Sequence, residues 1–325
     1  MKALVTGASG FIGSHVVAAL AAAGHEVRAF DRRAPAEVPA GVETVAGDVL
    51  NADALARAAQ GCDAVFHLAA LYSYARAHAR AMQAVNVEGT RAVLDAAARS
   101  GVRRVVHTSS CATCGPVAGR AATEADEPPG WELAVPYKRT KLEGERLALD
   151  AARDGLDVVV VNPTTPVGPS DRRPTPTGKM VADVARGRAR AYLSGAALNV
   201  VAVEDVAAGH LRAFEHGRSG ERYLLGGENL SLREVFAIVA RAADRRPPRI
   251  GVPWALAHGA ARAGDAALRL VGREPSLLVL DEVRLARLPM TFDDARARRE
   301  LGYASRPAEQ ALVAAARAAL AGRDD

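Results

Sequence analysis

Cysteine is scarce in this 325-residue chain, with Cys62, Cys111 and Cys114 the only three. Three thiols set no disulfide framework, and a reducing cytoplasm is the expected setting. Cys111 and Cys114 form a C-x-x-C, but no second pair stands at zinc spacing and no aromatic-flanked redox helix surrounds them. They read as a small-residue stretch, and no metal is expected. Aromatic residues make up 4% of the chain, too few for a base-stacking surface. The net charge of +5 is carried by scattered arginines such as Arg284, Arg287, Arg296, Arg298 and Arg299. That pattern reads as solvated helix faces, so no nucleic-acid partner is expected. A long apolar run is also missing. The stretch Trp254–Val271 is interrupted by His258, Arg262, Asp265 and Arg269, which excludes stable membrane insertion. The alanine-rich start up to Ala23 holds His15 and opens on a strand pattern, so it is not read as a signal peptide.

What is present is ordinary globular material, 49% hydrophobic and 24% charged, with enough length to bury a substantial core. The most specific local feature is Gly7-Ala8-Ser9-Gly10-Phe11-Ile12-Gly13, directly after the apolar run Ala3-Leu4-Val5. A glycine-rich turn between strand and helix suits a pyrophosphate. Gly7 permits the tight turn, Gly10 allows backbone N–H groups close to phosphate, and Gly13 lets the helix pack closely. The following helix, Ile12 to about Ala23, points its positive end at the ligand.

Short apolar runs then alternate with helical stretches. Strands are predicted at Ala3–Thr6, Glu26–Phe30, Glu43–Ala46, Ala64–Leu68, Arg104–Thr108 and Asp157–Val161. Val158 to Val161 is continuously apolar, as expected of a strand covered on both faces. Long helices are predicted at Ala75–Arg99 and Tyr137–Arg153. The fold class is therefore α/β, a doubly wound parallel sheet of the Rossmann kind with a smaller, mostly helical C-terminal lobe. Residues 1–165 form the expected dinucleotide-binding domain and 166–325 the expected substrate lobe, with about 199–216 returning to the first domain. The proline-rich stretch Asn162 to Gly178 reads as a long ordered loop at the C-terminal sheet edge. Beyond it, strands are expected at Val200–Val203 and Arg222–Leu225, and helices near Asp205–His216, Leu232–Ala243, Trp254–Val271 and Pro307–Leu320.

Tyr137 and Lys141 stand four residues apart, which places them on one helix face. A neighbouring ammonium favours a phenolate, so the lysine is expected to bring the tyrosine toward use as an acid/base near neutrality. A strand ending Thr108-Ser109-Ser110 can hold a carbonyl or alcohol oxygen against it.

These pieces make the chain resemble the extended short-chain dehydrogenase/reductases over nearly its whole length. The matching motifs are Thr6–Gly13, Gly47-Asp48-Val49, His67-Leu68-Ala69-Ala70, Asn86-Val87-Glu88-Gly89-Thr90, Thr108-Ser109-Ser110, Tyr137/Lys141 and Arg299-Glu300-Leu301-Gly302-Tyr303. The stretches Val161–Gly178 and Gly226–Leu230 look like the hopanoid-associated sugar epimerase group, with dihydroflavonol-reductase-like proteins as neighbours. The resemblance implies that Ser110, with Ser109 as runner-up, is the catalytic hydroxyl, and Tyr137 the general acid/base. It makes Lys141 the residue that tunes Tyr137 and holds the nicotinamide ribose. It implies cofactor contacts at Gly7, Gly10, Phe11, Ile12, Gly13, Asp48, Val49, Leu68, Ala69, Ala70 and Pro163. Asn86 is expected to order the helix behind the site and His67 to be structural. A homodimer through helices 75–99 and 137–153 is implied by relatives.

Asp31 ends the second strand, where a carboxylate accepts from adenosine ribose hydroxyls and repels a 2′-phosphate, so NAD is expected. Arg32 follows it, at the place where dihydroflavonol-reductase-like members hold the phosphate of NADP, which keeps NADP as the alternative. Nucleotide-sugar members carry an asparagine where Thr165 stands and an arginine where Leu198 stands. Without that cation a diphosphate loses a charge-assisted contact. A less charged small-molecule carbonyl or alcohol is expected instead, with Tyr72, Tyr74, Ser110, Thr164, Thr165, Thr175, Thr177 and Lys179 as pocket candidates. The expected activity is NAD(P)-dependent hydride transfer. An epimerase or dehydratase that keeps its NAD is the alternative, and a non-catalytic dinucleotide sensor the remote one.

Overall fold

The computed structural model of the chain describes residues 1–34, 38–172, 174–270 and 280–321. Arg173 of the proline-rich stretch and Val271, the expected end of one helix, lie outside the described residues. The first half runs β1 (Lys2–Thr6), α1 (Phe11–Ala22), β2 (Glu26–Asp31), β3 (Glu43–Ala46), α2 (Ala52–Ala59), β4 (Ala64–His67), α3 (Ala79–Gln83), α4 (Gly89–Arg99), β5 (Arg104–Thr108), α5 (Pro136–Arg153) and β6 (Val158–Pro163). The second half runs β7 (Thr165–Val167), α6 (Pro176–Ala185), β8 (Ala191–Leu193), β9 (Ala197–Ala202), α7 (Val203–His216), β10 (Arg222–Leu225), β11 (Glu228–Ser231), α8 (Leu232–Ala242), β12 (Ile250–Val252), α9 (Trp254–Leu270), α10 (Leu280–Leu285), α11 (Ala295–Leu301) and α12 (Ala308–Ala321).

Seven strands form one parallel sheet in the order β10-β6-β5-β4-β1-β2-β3. Its strands bury alternate residues on opposite faces. Ala3, Val5, Val159 and Val161 pack with α1 and α7 through Val16, Leu20 and Val206. Leu4, Val158 and Val160 pack with α2, α4 and α5 through Leu55, Val93 and Ala148. Val158 to Val161 are all fully buried, and each such valine stabilises the fold by roughly 1.5–3 kcal/mol. The chain leaves β1 toward β2 on one side and later returns to β4 on the other. The crevice between the carboxyl ends of β1 and β4 is therefore the topological switch point where ligands enter such sheets.

Three expectations are corrected. Arg222–Leu225, assigned from sequence to the second lobe, pairs in parallel with β6 and completes the main sheet. The stretch 162–178 is not a plain loop, because β7 pairs with β9 and α6 begins at Pro176. Its prolines sit where they are compatible with regular structure, Pro176 in the first turn of a helix capped by Thr175. The segment 75–99 is not one helix either. It runs from a 3₁₀ turn through α3 and a π-helical turn at Ala84–Glu88 into α4. Within the mostly helical lobe, β11-β9-β7 form a small sheet that packs with α6, α8 and α12.

Candidate active site

The glycine turn closes on itself, with the Gly10 N–H donating to the Gly7 carbonyl at 2.9 Å. Gly7 has φ +71°, and a Cβ there would stand 2.6 Å from the backbone nitrogen of Ala69, across the switch point. A Cβ on Gly13 would come within 2.1 Å of the Gly7 carbonyl. The third glycine thus lets the helix approach its own entry turn. Gly10 caps α1 without a side-chain bond, which leaves the first-turn N–H groups directed at the crevice.

That crevice is a cleft of about 590 Å³. Of the residues proposed for the cofactor, Gly7, Gly10, Phe11, Asp31, Arg32, Asp48, Val49, Leu68, Ala69 and Ala70 line it. Ile12 and Gly13 do not; Ile12 packs its side chain against the core. Pro163 is buried at the end of β6 and is also absent from the lining. Asp31 does more than face the cleft. Its Oδ2 accepts from the Ser9 N–H at 3.0 Å and its Oδ1 from the Arg32 N–H at 2.7 Å. The carboxylate therefore clips the glycine turn to the end of β2. Ser170, held at φ +67°, and Asp171 line the opposite rim, a contribution the motifs did not signal. The shape and donor set of this cleft fit a dinucleotide: a turn only glycine can make, a free helix N-terminus, and a carboxylate at the second strand's end.

Beyond the cleft, β5 ends beside the N-terminus of α5, and Ser110, Tyr137 and Lys141 come together there. The Ser110 hydroxyl caps the 3₁₀ turn Cys111–Thr113 and faces the Tyr137 phenol. Burial raises Tyr137 to about 12, and the neighbouring Ser110 hydroxyl pulls it the other way. The expectation that Lys141 brings the phenol toward neutrality is corrected, because burial wins. Lys141 is itself buried, donates to the Thr108 carbonyl at 2.8 Å, and is lowered to about 8 by burial, which the charge of Glu145 opposes. Ser109 is buried with no partner for its hydroxyl. Of the two serines, Ser110 is the one that meets the tyrosine.

Lys141 leaves a signature in stability. An unfolded lysine holds its proton to about pH 10.4. Between about pH 8 and 10 the unfolded chain therefore binds more protons, and stability rises with pH. In urea unfolding, the parent's free energy minus that of Lys141→Met should climb by about 2 kcal/mol from pH 8 to 10. The Cys111 and Cys114 thiols, pushed up by burial, act oppositely in both proteins and cancel in the difference. A flat difference would contradict a buried ammonium.

Behind the site, the Asn86 side chain accepts from the Leu71 N–H at 2.7 Å and donates to the Leu71 carbonyl and to Thr140. These bonds hold the π turn against α5, and Gly144 permits the approach: a Cβ there would lie 2.5 Å from the Asn86 carbonyl. His67 bridges Thr6 and Thr90, fully buried and lowered to about 3 by desolvation, so it is neutral and structural. The motifs missed a buried polar cluster of Glu145, Asn162, Thr113 and Arg222 beneath Ser110. A glutamate one turn past Lys141 on the inward face of an amphipathic helix was the available signal.

Of the pocket candidates, Tyr72 and Tyr74 gather at Tyr137. Tyr72 packs on the Tyr137 ring at 4.4 Å, and its hydroxyl donates to that of Tyr74 at 3.0 Å. Other candidates are engaged elsewhere. Thr164 donates to the Leu225 carbonyl, Thr175 caps α6, and Lys179 pairs with Asp183 one turn along at 2.7 Å. Thr165 lies in β7 and Thr177 in the first turn of α6. Leu198 packs against the core of the second lobe. Among the described residues, no group of three potential ligands could hold a metal ion, and no helix is long and apolar enough to cross a membrane.

A switch-point cleft with this glycine turn, beside a helix carrying the tyrosine–lysine spacing, defines an enzyme of the extended short-chain dehydrogenase/reductase class. The chain belongs to the NAD dependent epimerase/dehydratase family, whose model matches residues 3–226. It is 37% identical over 319 residues to a Synechocystis protein named after dihydroflavonol 4-reductase, covering 95% of this chain and 92% of that one. It is 37% identical over 307 residues to sterol demethylase protein B of Methylococcus capsulatus, covering 93% of each. The solved dTDP-glucose 4,6-dehydratase DesIV of Streptomyces venezuelae, a double mutant with NAD bound, superposes with a TM-score of 0.80. That match has 26% identity and covers 99% of this chain and 98% of that one.

Proposed function

We propose that this enzyme is an NAD-dependent oxidoreductase acting on an uncharged ketone or secondary alcohol. The observation that carries the reading is the convergence of Ser110, Tyr137 and buried Lys141 where β5 ends beside α5. In this reading Gly7, Gly10 and the start of α1 hold the pyrophosphate, Asp31 the adenosine ribose, and Lys141 the nicotinamide ribose. When bound, the nicotinamide supplies or accepts the hydride and, when oxidised, places a positive charge beside the phenol. Ser110 holds the substrate oxygen, and Tyr137 passes its proton to that oxygen in reduction and takes it back in oxidation. The Asp31 carboxylate favours NAD over NADP, with Arg32 the residue a 2′-phosphate would meet.

Tyr72 and Tyr74 form an aromatic wall over Tyr137 and suit a ring-bearing substrate. The absence of a cation at Leu198 and of an amide at Thr165 speaks against a nucleotide diphosphate sugar. Residues 1–165 would carry the cofactor, with 203–225 added to them, and the rest of 166–325 would shape the substrate side. We include in the proposal a homodimer through the helices of 75–99 and α5.

The test is steady-state NADH oxidation against a panel of bicyclic ketones such as 2-tetralone and 4-chromanone. Turnover with NADH, and weaker turnover with NADPH, is expected. NAD retained through purification with no net turnover on any ketone would instead favour an epimerase or dehydratase.

A further inference from the structure

Glu145 is 1% exposed, and nothing in the proposed chemistry uses it. Burying a carboxylate is costly unless every lone pair is matched, and an apolar replacement is often no worse for stability. Here the matching is complete on the side toward the site. Oε2 accepts from the Thr113 hydroxyl at 2.7 Å and from Asn162 Nδ2 at 2.6 Å. Oε1 accepts from Arg222 Nη1 at 2.7 Å, which ties the same carboxylate to the edge strand β10.

The two donors on Oε2 also converge on one further atom, the Ser110 carbonyl, 2.8 Å from Thr113 Oγ1 and 3.1 Å from Asn162 Nδ2. Three hydrogens, one on Thr113 and two on Asn162, thus serve three acceptors: Oε2, the carbonyl of Ser110 and Thr113 Oγ1, the last 2.9 Å from Asn162 Nδ2. Thr113 and Asn162 are fully buried, so neither can turn to solvent for another partner.

We propose that Glu145 is a positioning residue, whose carboxylate fixes the turn from which Ser110 presents its hydroxyl to Tyr137. The inference rests on the Ser110–Tyr137–Lys141 reading above. The titratable groups facing Glu145 are Lys141 one turn back on α5, Arg222 on β10 and the neutral Cys114 thiol of the turn. Its charge also favours the Lys141 ammonium. Glu145→Gln keeps the shape but fails in either orientation. With its amide nitrogen toward Asn162 it sets donor against donor at Nδ2, and with that nitrogen toward Arg222 it does the same there.

The experiment measures NADH affinity by fluorescence quenching, and kcat against pH with the fastest ketone of the panel, for four variants beside the parent. In Glu145→Gln, kcat is expected to fall about tenfold to hundredfold, the range of a small misplacement of a reacting group, with NADH affinity kept. The pH limb belonging to Lys141 should move toward acid. Thr113→Val leaves the Glu145–Arg222 pair intact and keeps the idea testable if the Gln variant fails to fold. It should lose kcat in the same direction, and Thr113→Ser should restore it. Full kcat in Thr113→Val, or an unmoved pH limb and kcat in folded Glu145→Gln, would overturn the role of Glu145. Tyr137→Phe separates the two readings, because full activity there overturns the site itself.

Discussion

Tyr137→Phe is expected to lower kcat for ketone reduction by about 10²–10⁴-fold, the usual worth of a positioned general acid. NADH affinity should stay within about twofold, because the variant removes only a hydroxyl used in the transition state. The phenylalanine keeps the ring that packs on Tyr72 at 4.4 Å, so the aromatic wall survives and the loss is assigned to the proton. Burial holds this phenol at about 12. It is therefore protonated across the physiological range and ready to donate in the reducing direction. Oxidation of the alcohol must draw the phenol down, and should gain rate as pH rises. Full activity in the variant, measured by NADH oxidation, would remove Tyr137 from the chemistry.

Gly7→Ala is expected to weaken NADH binding about tenfold to hundredfold, measured by fluorescence quenching. A residue with a Cβ at φ +71° bears about 1–2 kcal/mol of backbone strain. Its methyl would also stand 2.6 Å from the Ala69 nitrogen and 2.7 Å from the Ala69 Cα, backbone atoms that cannot rotate aside. Relief requires the turn to open at the switch point, and each 1.4 kcal/mol lost there is about a factor of ten in affinity. Gly24→Ala is the control. Gly24 has φ +77° with nothing within 4 Å of the added Cβ, so the same strain arises without the collision. That variant should lose stability and keep its NADH affinity. Equal losses of affinity in both would mean that strain, and not the cradle, is what the assay reads.

The parts of the fold legible in the sequence were those written by local physics. β1, β4, β5 and β6 showed as apolar runs because both sheet faces are covered, and the Gly7–Gly13 turn because no other residue makes it. Long-range pairing was not legible. Four residues at Arg222–Leu225 look the same whether they edge the main sheet or a small lobe, and only the pairing with β6 decides. β7 and α6 were hidden by Pro166 and Pro176, which a composition reading counts as loop although one sits in a helix's first turn. The break in 75–99 comes from Asn86 binding the backbone of Leu71, a contact 15 residues away in sequence.

For the site the same division holds. The spacing placed Tyr137 and Lys141 on one helix face, but not which way burial moves each of them. Thr175 looked like a pocket hydroxyl until its N–H acceptor role at α6 was visible, and Lys179 until its partner Asp183 was. Glu145 escaped because its meaning lies in Thr113, Asn162 and Arg222, which come from a turn and two further strands.

The central claim is that hydride passes between a nicotinamide in the switch-point cleft and a substrate carbon whose oxygen is held by Ser110 and Tyr137. The most direct measurement follows deuterium from stereospecifically labelled [4-²H]NADH into the alcohol formed from a ketone of the panel, by mass spectrometry. The account predicts one deuterium on the carbinol carbon from one face of the nicotinamide only, and label transfer lost in Tyr137→Phe. Alcohol formed without deuterium from either label, or labelled equally well by Tyr137→Phe, would contradict it.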